Sequence, residues 1–212
     1  MPDPADQLLT LGAATVGESG GTPLAARIGP VWRGARLAAP AFGVRCTPGD
    51  NLALHVAVAR APAGRALAVD VGIEAELGYW GEVLTTAAMA RGIGGVVIDG
   101  CVRDVAALEA HGVPVFSTGV ALAGATKTLG GGTGGAVTIG DVAVPTGDWL
   151  LGDADGVTVV PAARLDEVLE AGRARAQHER GLFEALGGGK TTVELLGLDP
   201  SAVADERDGK RS

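Results

Sequence analysis

Glu82 and the Arg103-Asp104 pair stand with twenty residues between them, each at the start of a predicted helix. Two carboxylates and a guanidinium so placed could hold a hard divalent cation beside an anionic keto acid. Such a cation takes oxygen ligands and keeps several of its waters. A planar guanidinium grips a carboxylate or enolate through paired N–H bonds. Together these parts suit carbon–carbon bond cleavage. The same residues also have a plainer reading, because acids in a first helical turn complement the helix dipole and Arg-Asp neighbours occur on many surfaces.

The elements that must position these side chains follow from the apolar pattern. Residues 66–71 and 95–99 read as buried strands, 82–91 and about 103–110 as helices, and 113–116 as a third short strand, the alternation of a parallel sheet. Arg103 and Asp104 then follow the end of a strand, where open α/β sheets bind ligands. Gly81 precedes the first of these helices, whose unbonded N–H groups at Val83 and Leu84 could receive a carboxylate, with Gly81 allowing its approach.

Upstream, the first twenty residues form a short, poorly patterned helix, and 35–38 and 42–46 are strands broken at Pro40. After a turn at Pro48-Gly49-Asp50, residues 51–61 have helical spacing, with Asp50 or Asn51 as cap and, as a lesser reading, as pocket lining. Beyond residue 130 the pattern turns β-rich. Residues 136–139 and 142–144 flank Gly140-Asp141, a tight hairpin turn, and 156–160 form another strand. A long helix from 164 to about 186 carries Leu165, Val168, Leu169, Gly172, Ala176, Phe183 and Leu186 on one stripe. Glu179 falls on that stripe, either as an acid with a function or as an edge residue paired with Arg175. The expectation is one α/β domain over residues 1–200, a mixed sheet with flanking helices, and a disordered tail over 201–212.

Composition narrows the function classes. With 47% apolar residues among 212, the chain can bury a sizeable core, while a net charge of -8 with scattered cations argues against nucleic acid as a partner. Cys46 and Cys101 have no metal-binding spacing and suggest no disulfide, which fits a reducing cytoplasm. Cys101, with no His nearby in sequence, reads as a packing residue. The N-terminus lacks the pattern of a signal peptide, and no apolar run reaches membrane-spanning length. His55, His111 and His178 lack metal-ligand spacing and read as surface or helix-packing residues. Residues 130–135 match a dinucleotide fingerprint in letters only, since a strand follows instead of a helix, so a flexible loop is expected. Gly189-Lys190-Thr191 lacks the first glycine of a phosphate loop.

The run Trp80-Gly81-Glu82-Val83-Leu84, the segment 92–104 ending in Gly100-Cys101-Val102-Arg103-Asp104, Pro48-Gly49-Asp50-Asn51, and Gly152-Asp153-Ala154-Asp155-Gly156 together resemble the RraA-like family. That family includes the class II 4-hydroxy-4-methyl-2-oxoglutarate/4-carboxy-4-hydroxy-2-oxoadipate aldolases, and the resemblance spans roughly residues 10–199. It implies a fold of the swivelling β/β/α type and a lyase that releases pyruvate and also decarboxylates oxaloacetate. It further implies Mg²⁺ or Mn²⁺ bound directly by Asp104, and water on that metal held by Glu82 and by Glu179 from a neighbouring subunit. Arg103 would clamp the keto acid together with Gly81, Val83 and Leu84, in a homotrimer or hexamer. Where the aldolases carry Asp, this chain has Glu82, one methylene longer. The alternatives within the resemblance are a non-catalytic trimeric regulator that binds an RNA-processing enzyme, or a related lyase or isomerase of a biosynthetic pathway.

Overall fold

The computed structural model describes residues 3–204 and divides the chain into two compact units, up to Gly172 and from Arg173 onward. The first unit begins with α1 (Pro4–Leu11), α2 (Ala13–Glu18), β1 (Thr22–Pro23), β2 (Gly29–Pro30), β3 (Leu37–Cys46), α3 (Leu52–Arg60) and β4 (Ala66–Asp70). It continues through α4 (Glu82–Ala90), β5 (Gly95–Asp99), β6 (Cys101–Val102), α5 (Val105–His111), β7 (Val115–Ser117), β8 (Gly119–Val120) and β9 (Gly131–Thr133). It closes with β10 (Val137–Ile139), β11 (Val142–Val144), β12 (Trp149–Asp153), β13 (Gly156–Val160) and the opening turns of α6 (Leu165–Gly187). The second unit holds the rest of α6, α7 (Thr192–Leu196) and a 3-10 turn over Pro200–Ala202 that Asp199 caps. The remainder of the expected tail, from residue 205, lies outside the described residues.

Nine strands form the main sheet, in the order β1-β13-β12-β3-β4-β5-β7-β2 with β9 beside β3. The centre, β3 to β7, is parallel, and the flanks are antiparallel. This is the mixed α/β sheet with flanking helices that was expected. Parallel strands need cover on both faces, and the period of two divides their side chains between two cores. Leu67, Val69, Val96 and Ile98 pack with Leu54, Leu84 and Leu108 of α3, α4 and α5. Ala66, Ala68 and Val97 face the other way, toward Phe116, Ile139, Val144 and Leu150. Small residues there let the β10–β11 hairpin lie close against the sheet. Its turn is the expected Gly140-Asp141, both at positive φ (52 and 65), the geometry that matches strand twist. Asp99 accepts the Gly140 N–H at 2.8 Å, and Arg27 bridges Asp99 and Asp141, which ties the hairpin to the end of β5.

Three expectations change. β3 runs unbroken through Pro40, because the strand changes partner there: residues 37–40 pair with β12 and 41–45 with β4. Ala41 resumes hydrogen bonding by donating to the Asp148 carbonyl at 2.7 Å, so a residue without a donor is tolerated at the handover. The supposed flexible loop at 130–135 contains β9, which pairs with residues 44–46 of β3. The predicted stripe on α6 is buried at Val168, Leu169 and Gly172, whereas Phe183 is 64% exposed.

Candidate active site

α4 starts at Glu82 after an extended Gly81, and its first amides have no partner inside the helix. Thr85 makes the first such bond, to the Gly81 carbonyl at 3.0 Å. The Glu82 N–H instead donates to Asp104 Oδ2 at 3.1 Å, while Val83 and Leu84 line a cleft of about 140 Å³. Gly81 is required at this point, since a Cβ there would lie 2.5 Å from Asp104 Oδ2 and 3.1 Å from Arg103 Cγ.

The other side of the junction is held by backbone bonds. Arg103 N–H donates to the Trp80 carbonyl at 2.8 Å and Tyr79 N–H to the Cys101 carbonyl at 3.1 Å. Trp80 itself is fully buried, its indole donating to Thr85 Oγ1 at 2.7 Å. So fixed, the chain passes through Asp104 in the left-handed region, φ 60 and ψ 37, and α5 begins two residues later than its pattern predicted. A residue with a Cβ loses about 1–3 kcal/mol in such a conformation, and strain of this kind gathers at ligand sites. Asp104 and Arg103 are both half-exposed at the cleft, with Arg103 Nε 3.7 Å from Asp104 Oδ2.

The opposite wall was largely missed from the sequence. Asn51, His55 and Lys127 line the cleft there. His55 therefore differs from its expected surface or packing role, whereas His111 keeps it, lying partly exposed between α5 and α4. His55 faces the cleft, and its imidazole is held below the usual range by burial and then by the charge of Lys127. His111 Nε2 stands 3.4 Å from Glu82 Oε1. The nearest signal for this wall was the lesser reading of Asn51 as pocket lining; nothing local marks Lys127.

The predicted acids differ in their surroundings. Arg103 and Asp104 meet the α4 terminus as expected, but the Glu82 carboxylate turns toward His111 and is not part of the cleft wall. Glu179 belongs to the second unit, where it pairs with Arg175 at 2.9 Å, the edge pairing foreseen for it. Among the described residues no three His, Cys, Asp or Glu side chains cluster as a metal cage. The donor set still fits a hard dication. Asp104 offers an oxygen donor with, among the described residues, a single N–H partner on its carboxylate, and Mg²⁺ is commonly bound through one or two carboxylates with its remaining positions filled by water and substrate.

Residues 11–159 match the RraA-like model, described as Aldolase/RraA, and the chain belongs to that family. Over 149 residues, 70% of this chain and 71% of the relative, it is 34% identical to the "Putative 4-hydroxy-4-methyl-2-oxoglutarate aldolase" of Halalkalibacterium halodurans. An uncharacterized protein from Pseudomonas syringae pv. tomato str. DC3000 superposes with a TM-score of 0.79 at 28% identity, covering 89% of this chain and 90% of that one. The RNA-processing inhibitor RraA from Thermus thermophilis gives a TM-score of 0.61 at 26% identity over 66% of this chain and 85% of its own. No helix among the described residues is long and apolar enough to cross a membrane.

Proposed function

We propose that this protein is a divalent-metal-dependent lyase that cleaves 4-hydroxy-2-oxo dicarboxylic acids, of the 4-hydroxy-4-methyl-2-oxoglutarate type, to pyruvate and a second keto acid. The single observation that carries the reading is the junction of Asp104, Arg103 and the α4 terminus in one cleft. Mg²⁺ or Mn²⁺ would be held directly by Asp104, and through water by Glu82 and the partner subunit's Glu179, in a cytoplasmic homotrimer or hexamer. When bound, the cation supplies Lewis-acid polarisation of the 2-keto oxygen.

The chain's own groups do the rest. The Val83 and Leu84 amides, at the positive end of α4, bind the C1 carboxylate. Arg103 donates to the 2-keto oxygen and gains most as that oxygen becomes an enolate, so it lowers the barrier more than it tightens ground-state binding. Glu82, once its carboxylate leaves His111 for the cleft, and the partner subunit's Glu179 would order the water that accepts the C4 hydroxyl proton. The C3–C4 bond then breaks with its electron pair passing to the pyruvyl half, the second keto acid leaves, and protonation at C3 yields pyruvate. Oxaloacetate reaches the same enolate by loss of carbon dioxide.

A coupled assay with lactate dehydrogenase, on 4-hydroxy-4-methyl-2-oxoglutarate and on oxaloacetate, tests this. Pyruvate formation that EDTA abolishes and Mg²⁺ or Mn²⁺ restores is the expected result. The second reading, a non-catalytic regulator of an RNA-processing enzyme, draws support from the turn of Glu82 toward His111 and from the likeness to the RraA inhibitor. It takes over if neither substrate is turned over with either metal.

A further inference from the structure

The backbone of Glu82 belongs to the Asp104 junction, but its carboxylate does not. The Glu82 N–H donates to Asp104 Oδ2 at 3.1 Å, whereas Glu82 Oε1 stands 3.4 Å from His111 Nε2 on α5. Among the described residues neither of these two side chains has another hydrogen-bond or ion-pair partner.

The helix between them explains the reach. Asp104 caps the start of α5 and His111 is the last of its seven residues, about two turns on, so His111 comes round to the side on which Asp104 begins the helix. Glu82 therefore faces two stations along one side of α5, the Asp104 carboxylate at the near end and His111 at the far end. The extra methylene is what spans the distance. An aspartate here, shorter by one C–C bond of about 1.5 Å, would fall outside contact with His111.

Building on the metal-dependent reading, we infer that His111 is a positioning residue, a latch that holds the Glu82 carboxylate out of the cleft until a divalent cation settles on Asp104. The carboxylate has two competing positions, and only the one in the cleft can order water on that cation. A site whose competent arrangement is a minor population binds its ligand more weakly by that fraction, so the His111 contact lowers the affinity for the cation. Both side chains are partly exposed, 30% for His111 and 56% for Glu82, which keeps the effect to a few-fold.

Calorimetric titration of the full chain with Mn²⁺ tests this without recourse to turnover. His111→Leu, which offers no donor, is expected to bind Mn²⁺ about four-fold more tightly than the wild type. His111→Gln, whose amide donates in place of Nε2, should stay within about two-fold of the wild type. In a Glu82→Asp background the same His111→Leu exchange should change the affinity by less than about 1.5-fold, because the partner is already out of reach. Equal or weaker Mn²⁺ binding in His111→Leu overturns the latch, as does an undiminished gain in the Glu82→Asp background. So does His111→Gln binding as tightly as His111→Leu, since the donor would then be irrelevant. The lyase reading fails separately. Affinities that follow the expected pattern with no pyruvate formed keep the latch and lose the reaction, whereas pyruvate formed with Mn²⁺ affinity indifferent to His111 keeps the reaction and loses the latch. A wild type that takes up no Mn²⁺ loses both.

Discussion

Asp50 and Asp104 both stand just ahead of a helix, and the molecule treats them in opposite ways. Asp50 is completely buried and accepts from the Leu52 and Leu129 amides at 2.9 and 3.0 Å, from the Thr126 hydroxyl at 2.8 Å, and from the Thr128 amide. Burial alone would raise its carboxyl, but the donors together outweigh burial and hold it well below the usual carboxylate range. Asp104 is 41% exposed, accepts one backbone N–H, and sits on strained left-handed backbone. A carboxylate buried under four donors acts as a clamp. One with open lone pairs, held in place against a conformational cost, is available to a ligand.

Substitutions can break this contrast, beginning with the largest effect. Asp104→Ala should lower pyruvate-forming turnover by about 1,000-fold, the scale seen when one preorganised electrostatic partner is lost. Its thermal midpoint should stay near that of the wild type. Activity close to wild type would remove Asp104 from the site, whatever the rest of the protein does.

Asp50→Ala should behave in reverse, losing about 3 kcal/mol in urea unfolding because buried N–H donors lose their acceptor. A stability loss no larger than that of Asp104→Ala would erase the distinction between clamp and ligand. Gly81→Ala should cut turnover about 100-fold, since the new methyl meets the Asp104 carboxylate and misplacements of about an ångström carry that penalty. Unaltered kinetics in this variant would mean that the carboxylate position matters little.

Asp104→Gly should gain about 1 kcal/mol of stability by relieving the left-handed residue while abolishing turnover, a trade expected only of a functional strain. A destabilised glycine variant would show that the Asp104 side chain holds the fold. The smallest effect is in pH. The Asp50 carboxyl titrates lower in the folded state than unfolded, so its stabilisation is fully present above about pH 4, the ordinary carboxylate value, and is lost as pH falls through its lower folded value. Asp50→Asn should therefore flatten the stability curve on the acid side, measured by urea midpoints from neutral to acid. An unchanged acid slope would assign the effect to other carboxylates, such as Asp141, which Arg27 also holds low.

What could be read from the sequence was what depends on neighbours along the chain. The apolar runs at β4 and β5, the helical spacing of α3 and α4, the Gly140-Asp141 turn, and the placement of Arg103 and Asp104 after β5 all rest on local periodicity and turn chemistry. Other features needed partners distant in sequence. Pro40 inside β3, the glycine strand β9, and β12, which was not foreseen, exist because another strand supplies their ladder.

The same division runs through the site. The residue types of Glu82, Arg103 and Asp104 announced the chemistry, yet spacing could not tell that the Glu82 carboxylate would turn toward His111. Nor could it tell that Asn51 and Lys127 would face the same cleft, since they are brought together by Asp50 gripping the segment around Thr126. Backbone preference and apolar period act over a few residues and are written in order along the chain, whereas the pairing of side chains across a cleft is decided only when the whole sheet has closed.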